Sequence, residues 1–185
     1  MRPLLWKRSR ETDLSIDFAS GDAVRDPPKG HSTERTGSAV IREKSCGALV
    51  LRNHKSADGE KQTYILMIRH TNGGHRSFPK GHVEKGETER MTAEREVREE
   101  TSVRIHISEK FREAVYYKPR PNSNKEVIYF LAFTKQADVA AREGEIAEVE
   151  WVPLSEARDA LTHDNDKRVL DAAIEYLKER KLGGF

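Results

Sequence analysis

The chain has 185 residues, and 33 basic side chains against 31 acidic ones leave a formal net charge of +2. This near balance argues against a generic nucleic-acid binder, whose basic excess would be larger. No apolar run approaches the roughly 18 residues that span a bilayer, and the apolar residues 4–6 are too few for a secretory signal. We therefore expect a cytoplasmic protein, without a membrane segment, that is long enough to bury a proper core.

The first 42 residues differ in composition from the rest of the chain. They are rich in charge, Gly, Ser and Pro and carry little hydrophobic periodicity. Segments of this kind bury too little apolar surface to offset the entropy lost on ordering. We predict a disordered arm over residues 1–42, with a short helical or docking piece near its start, and a single folded domain over residues 43–185.

Hydrophobic patterning predicts an α/β domain with a mixed sheet flanked by helices. A turn is expected between the first two strands, over residues 53–62, and a six-residue loop over 119–124 inside a long β-hairpin. The last helix carries an apolar stripe, basic residues in its final turn and two glycines beyond its end. Strands are predicted at residues 45–52, 64–70, 103–118, 125–134 and 149–152, and helices within 81–103 and at 154–161 and 165–181.

The stretch from Gly81 to Val103 contains an acidic cluster on a predicted helix. A helix turns by about 100° per residue, so Glu96, Glu99 and Glu100 share one side. Their mutual repulsion weakens a bare helix by a few tenths of a kcal/mol per pair. One interpretation is a solvated face with surface ion pairs. The other is a site for a hard cation, because Mg²⁺ and Mn²⁺ prefer such oxygen ligands.

The flanking residues favour the cation site. Gly81 is followed six positions later by Glu87, and residues 95–103 then read REVREETSV. Over 23 residues this pattern resembles the Nudix box, the metal-binding loop–helix–loop of the Nudix hydrolases. The resemblance covers roughly residues 44–181 and implies a Nudix-type α/β/α sandwich with a mixed sheet.

The resemblance also implies roles for individual residues. Mg²⁺, with Mn²⁺ as an alternative, would be held by glutamates of the helix and a loop carbonyl. Either the first of these glutamates or a distal one, in a loop before Trp151, would take a proton from water. The implied metal ligands are Gly81, Glu96, Glu99 and Glu100, and the implied catalytic residues are Glu96, Glu145, Arg95 and Glu87, of which Arg95 and Glu87 brace the site.

Residues 68–84 and the predicted hairpin resemble the Nudix branch that cleaves diadenosine polyphosphates asymmetrically. The implied substrate-binding residues are His75, Lys80, Tyr117 and Lys125. The choice of Tyr117 over Tyr116 rests on strand parity, and Tyr129 is expected in the core. His163 falls where the branch places a second adenine-packing aromatic, and it is not included in the predicted site.

The implied reaction is Mg²⁺-dependent hydrolysis of a phosphoanhydride, with diadenosine tetraphosphate cut into ATP and AMP. The alternatives are another Nudix substrate (a nucleoside triphosphate, an oxidised nucleotide, an inositol pyrophosphate or an RNA 5′ end) and a non-catalytic nucleotide-binding module. Fold alone does not decide among them.

Two positions depart from the family pattern. Ser102 stands where glycine usually ends the helix in a left-handed conformation, at a cost of about 1 kcal/mol. Arg76 stands where the branch commonly carries tryptophan. We expect this exchange to weaken base stacking and to add a cation for phosphate.

Overall fold

The computed structural model describes residues 40–55 and 59–180, which belong to one compact unit. The predicted disordered arm lies outside the described residues except for residues 40–42, and the first strand already begins at Ile41. No helix within the described residues is long and apolar enough to cross a membrane. The elements are β1 (Ile41–Lys55), β2 (Lys61–His70), β3 (Arg76–Ser77), β4 (Lys80–His82), α1 (Glu89–Thr101), β5 (His106–Arg120), β6 (Ser123–Phe133), β7 (Ile146–Pro153), α2 (Ala157–Ala160) and α3 (Asp164–Glu179).

The sheet is organised around β1. On one side β1 runs parallel to β6 along residues 41–51, and β6 in turn pairs with β5. On its other side β1 pairs with β4 at residues 45–47 and with β2 at residues 51–55, both antiparallel. This change of partner brings β4, which carries Gly81, into the sheet beside β1. The close approach requires glycine at position 47, where a Cβ would lie 2.2 Å from the carbonyl oxygen of Pro79.

Alternate residues of the central strands point to opposite faces of the sheet, and each face is covered by helices. Leu49, Ile65 and Met67 belong to the core shared with the apolar stripe of α3, including Val169 and Leu170. On the opposite face the alternate residues of the central strands form a second core with α1. That second core contains Ala48, Val50, Leu66, Ile128, Ala93 and Val97. The predicted α/β/α sandwich with a mixed sheet is therefore confirmed.

All predicted strands and helices are present among the described residues, but some boundaries were wrong. The first turn is shorter than predicted, because β1 extends to Lys55 and β2 begins at Lys61. The hairpin loop is also shorter, because Arg120 still pairs with Ser123. The short strands β3 and β4 were not predicted, since two or three residues carry no readable periodicity.

Candidate active site

The acidic helix α1 has well-defined ends. At its start the Thr88 side chain accepts a hydrogen bond from the Met91 N–H (3.3 Å), which satisfies one free backbone donor. At its end Ser102 has φ 60° and ψ 12°, and its N–H donates to the Arg98 carbonyl (2.8 Å). The left-handed conformation predicted for Ser102 is therefore confirmed. The departure from glycine leaves the helix end intact, at the modest cost of a Cβ in that conformation.

Arg95 joins the helix to the loop before it. Its guanidinium donates to both carboxylate oxygens of Glu87 (2.7 and 2.9 Å), to the His82 carbonyl (2.9 Å) and to Glu96 (2.7 Å). Together with the Thr92 hydroxyl, Arg95 lowers the pKa of Glu87 to about 2. Arg95 therefore joins Glu87, the loop and Glu96, and the bracing role of Arg95 and Glu87 in a metal site stays a prediction.

Two carboxylates of α1 are buried against β4. Glu96 is 8% exposed and lies against Gly81, where a Cβ would fall 2.0 Å from its carboxyl carbon. Glu100 is 5% exposed and accepts a hydrogen bond from the Lys80 N–H (2.9 Å). Burial raises the pKa of Glu100 to about 7, and the charges of Glu96 and Glu145 add to this against the opposing charge of Lys80.

These residues line a cavity of about 430 Å³, which we call the carboxylate pocket. The distal Glu145 lies on its wall, whereas Glu148, three residues later, forms an ion pair with Arg69 (3.0 Å). The loop that carries Glu145 is tied to the end of α1, because the Arg142 N–H donates to the Glu100 carbonyl (3.2 Å). The pocket is defined by Gly81, Glu96, Glu100, Glu145, Lys80 and His70.

Glu99 lies beside this pocket. Its carboxylate pairs with Arg142 (3.3 Å) and Arg95 (3.5 Å), and Arg142 also reaches Glu145 (3.3 Å). The expectation that Glu99 shares one side with Glu96 and Glu100 was wrong: Glu99 is exposed and lies outside the pocket lining, because the step of about 100° from Glu100 turns it towards solvent. Within residues 40–55 and 59–180, no group of three His, Cys, Asp or Glu side chains is arranged so that it could hold a metal ion as it stands.

The carboxylate pocket nevertheless fits a hard divalent cation. Arg95 already pairs with Glu96, but Glu100 is a buried acid in the same space with no ion pair in the described part of the chain, and a buried charge without a partner is costly. Only glycine at position 81 leaves room for the Glu96 carboxylate against β4. Carboxylate and backbone carbonyl oxygens are the donors that Mg²⁺ and Mn²⁺ prefer.

A second cavity of about 500 Å³ adjoins the first and shares His70 and Lys80 with it. The rings of His75 and His163 lie 4.8 Å apart on its wall. We call it the aromatic cavity, and it is defined by His70, His75, Lys80, Tyr117, Tyr129, His163 and Asp166.

A buried polar pair forms part of the wall of the aromatic cavity. The Tyr129 hydroxyl donates to Asp166 (3.0 Å), and both residues are buried, so the prediction of Tyr129 in the core is confirmed. Asp166, His163 and His70 were not in the predicted site. Asp166 could have been found, because it stands three and four positions before Val169 and Leu170, on the apolar stripe of α3.

The hairpin strands supply the remaining predicted residues. Tyr117 lines the aromatic cavity, whereas the Tyr116 hydroxyl donates to Glu126 (2.8 Å). Lys125 lines a neighbouring cleft that also shares Tyr117. Burial lowers the pKa of Lys125, and the charge of Lys80 lowers it further. We call this neighbour the outer cleft, defined by Arg42, Tyr116, Tyr117, Lys118 and Lys125.

Arg76 does not provide the phosphate contact expected for it. Its guanidinium pairs with Glu150 (3.0 Å) and lines a separate cavity with Trp151. Its backbone N–H donates to the Thr162 hydroxyl (2.9 Å), which holds the segment before α3. The reason is register: β3 pairs Arg76 with Arg69 on β2, next to β7, which carries Glu150.

Comparisons with known proteins agree with this geometry. A family model described as NUDIX domain matches residues 42–173. The chain belongs to the Nudix family. The asymmetrical bis(5′-nucleosyl)-tetraphosphatase of Rattus norvegicus is a relative, 31% identical over 140 residues that cover 72% of this chain and 95% of the relative. The predicted resemblance to Nudix hydrolases is thereby confirmed.

Other relatives of this Nudix chain differ in length. A Mycobacterium tuberculosis (strain CDC 1551 / Oshkosh) protein that bears the name MutT4 is 30% identical over 166 residues, which cover 86% of this chain. This chain spans only 64% of that relative. Among solved structures, a C. elegans Ap4A hydrolase binary complex is 25% identical with a TM-score of 0.65, covering 74% of this chain and 98% of that one. Nudix hydrolases generally use divalent metals such as Mg²⁺.

Proposed function

We propose that this Nudix protein hydrolyses a phosphoanhydride of nucleotide polyphosphates with Mg²⁺, and that diadenosine tetraphosphate, cut into ATP and AMP, is its best substrate. The observation that carries the proposal is that the carboxylate pocket and the aromatic cavity meet at His70 and Lys80. One site can therefore hold a reacting phosphate while the adjoining site holds a base. The name of the rat relative supports the choice of substrate.

The carboxylate pocket would hold the metal. Glu96, Glu100, Glu145 and Gly81 line it, and Arg142 pairs with both Glu145 and the neighbouring Glu99. A Mg²⁺ or Mn²⁺ ion bound there would polarise a phosphoryl oxygen of the substrate and lower the pKa of a bound water.

The protein's own groups accept the proton and hold the site in position. Glu96 or Glu145 takes a proton from the attacking water. Glu96 is fixed by Arg95, while Glu145 is 61% exposed and follows the turn at Gly144. Arg95 and Glu87 keep the loop and Glu96 in place, so we assign them positioning roles.

The side chains that line the carboxylate pocket and the aromatic cavity bind the substrate. The Lys80 ammonium would offset charge on the non-bridging phosphate oxygens, because it lines both cavities. Tyr117, His75 and His163 present rings to one nucleoside. Stacking of a base on an aromatic side chain contributes about 1–3 kcal/mol, enough to position a nucleotide.

A substrate panel tests the proposal. The full chain is incubated with Mg²⁺ and diadenosine tetraphosphate, nucleoside triphosphates, oxidised nucleotides, inositol pyrophosphates or capped RNA, and kcat/KM values are compared. We expect diadenosine tetraphosphate to rank first and to yield ATP and AMP rather than ADP. A higher rank for triphosphates would refute the substrate assignment, and tight nucleotide binding without Mg²⁺-dependent turnover would indicate a binding module.

Nucleoside triphosphates are the second candidate. The relative named MutT4 is about as similar to this chain as the rat tetraphosphatase, at 30% against 31% identity. A triphosphate would occupy the carboxylate pocket and the aromatic cavity alone. The order of the kcat/KM values in the substrate panel separates the two candidates.

A further inference from the structure

The carboxylate of Glu43 is surrounded by basic side chains from three other strands. The His82 ring nitrogen Nε2 and the Lys125 ammonium lie 3.5 and 4.0 Å from one of its oxygens, and the Arg120 guanidinium lies 3.9 Å from the other. The Ser123 hydroxyl donates to that second oxygen at 3.1 Å. We call these five residues the Glu43 cluster.

The Glu43 cluster lies on the face of the sheet that α3 covers, which is also the face of the aromatic cavity. Glu43 is paired with Lys125 in the parallel register, and Lys125 is paired with Tyr117 across the β5–β6 hairpin. Residues directly opposite one another on neighbouring strands point to the same face. Val127, two positions along β6, shares this face and lines the aromatic cavity together with Tyr117. The cluster therefore adjoins the cavity without crossing the sheet.

The Glu43 cluster also adjoins the carboxylate pocket. His82 directly follows Gly81 in β4, and both residues line that pocket. The ring of the same His82 contacts the Glu43 carboxylate. A phosphate chain that leaves the carboxylate pocket past His82 would therefore meet Lys125 and Arg120 on the same face of the sheet.

Glu43 pairs only loosely with the two full cations of the cluster. Hydrogen bonds between charged nitrogen and oxygen atoms are about 2.7–2.9 Å long, so neither Lys125 nor Arg120 is hydrogen-bonded to Glu43. No other carboxylate in the part of the chain that the structure describes forms an ion pair with either cation. Two positive charges therefore face one negative charge, and this excess attracts an anionic ligand.

We propose that Lys125 and Arg120 form an anion subsite for the polyphosphate chain of the substrate, and that Glu43 weakens this subsite as a competing carboxylate of the protein itself. The inference rests on the proposed function in taking the anion to be a nucleotide polyphosphate. Its consequence is that removing the charge of Glu43 strengthens binding. Because such binding acts on the ground state and the transition state alike, it lowers KM and leaves kcat unchanged.

Calorimetric titration of the full chain with inorganic tripolyphosphate tests the subsite, and divalent ions are left out so that the carboxylate pocket takes no part. Glu43→Gln keeps an acceptor for the Ser123 hydroxyl and removes only the charge, while Arg120→Ala removes one cation of the subsite. Asp171→Asn and Arg158→Ala are the matched controls. They change the net charge equally, and the two residues form an ion pair (3.1 Å) between α2 and α3, outside the lining of both cavities.

We expect Glu43→Gln to lower the Kd for tripolyphosphate about threefold and Arg120→Ala to raise it about threefold, because partly exposed ion pairs contribute modestly. Both effects should shrink at high salt, and KM for diadenosine tetraphosphate should follow the same order. Weaker binding by Glu43→Gln, an unchanged Kd in Arg120→Ala, equal shifts in the controls, or no binding by the wild type would overturn the subsite. Failure to hydrolyse diadenosine tetraphosphate would refute the proposed function alone, and the Kd comparison would still decide the subsite.

Discussion

The carboxylate pocket and the aromatic cavity are built in different ways. The pocket draws most of its lining from residues 80–100, and a single guanidinium, that of Arg95, fixes the loop and Glu96 together. The cavity instead collects His75, Tyr117 and His163 from a loop, the β5 strand and the start of α3. This difference indicates that the residues for the reaction lie mostly close together in the sequence. The residues for substrate choice are brought together only by the fold.

Removing a carboxylate from the pocket should have the largest effect. Glu96→Gln keeps the size of the side chain but removes the charge that would bind the metal. We expect kcat to fall by about 10³-fold, because both metal affinity and proton transfer depend on that charge.

Glu94→Gln is the matched control, since Glu94 lies on the exposed side of the same helix. It should leave kcat within twofold of the wild type, and circular dichroism should show both variants folded. Equal losses of kcat in the two variants would mean that helix stability, and not the pocket, controls activity.

Replacing Arg95 should show whether its hydrogen bonds hold the loop and Glu96 in position. Arg95→Ala leaves Glu87, Glu96 and the His82 carbonyl without their shared donor, and we expect urea unfolding to show a loss of about 2 kcal/mol. Arg95→Lys should recover only part of this, because an ammonium cannot donate in parallel to one carboxylate. Full recovery with lysine would show that charge alone, rather than the fork of hydrogen bonds, holds the loop.

Changing the aromatic cavity should affect binding and leave the chemistry intact. We expect Tyr117→Ala to raise KM for diadenosine tetraphosphate about tenfold with kcat nearly unchanged, because stacking contributes about 1–3 kcal/mol. Tyr117→Phe keeps the ring and should stay within twofold. A fall in kcat without a change in KM would place Tyr117 in the reaction itself.

The smallest effect is expected at the first residue of α1. Glu89 pairs with Arg112 and Lys44, and the hydrogen bond from Arg112, followed by that from Lys44, lowers its pKa from 4.5 to about 2. The carboxylate therefore stabilises the fold above pH 4.5, and this contribution is lost as the pH falls towards 2.

Glu89→Gln should cost less than about 1 kcal/mol at pH 7, because the pair is partly exposed. The difference in unfolding free energy between wild type and variant should shrink between pH 4.5 and pH 2. A difference that stays constant over that range would show that the ion pairs do not hold α1 to β1 and β5.

Local regularities explain what could be predicted from the sequence. The ends of α1 follow from Thr88 and Ser102, whose conformations depend on neighbouring residues in the chain. Strand alternation likewise indicated Tyr117 rather than Tyr116 for the aromatic cavity, and the structure places Tyr117 there.

Long-range contacts explain what could not be predicted. Arg76 pairs with Glu150, and Glu99 pairs with Arg142, each through a residue from a distant segment. The strand β4 exists only because β1 offers it a partner at residues 45–47. The pattern of residues within a short segment cannot predict such a strand or such ion pairs, because they depend on distant parts of the sheet.

The central claim is that the acids of α1 and the loop at Gly81 capture a divalent ion. Calorimetric titration of the full chain with Mn²⁺, for wild type and for Glu96→Gln, Glu100→Gln and Glu94→Gln, tests it most directly. The account predicts uptake by the wild type and by Glu94→Gln, and affinity weakened at least about tenfold by either of the other changes. No uptake of Mn²⁺ or Mg²⁺ by the wild type, with or without nucleotide, would contradict it.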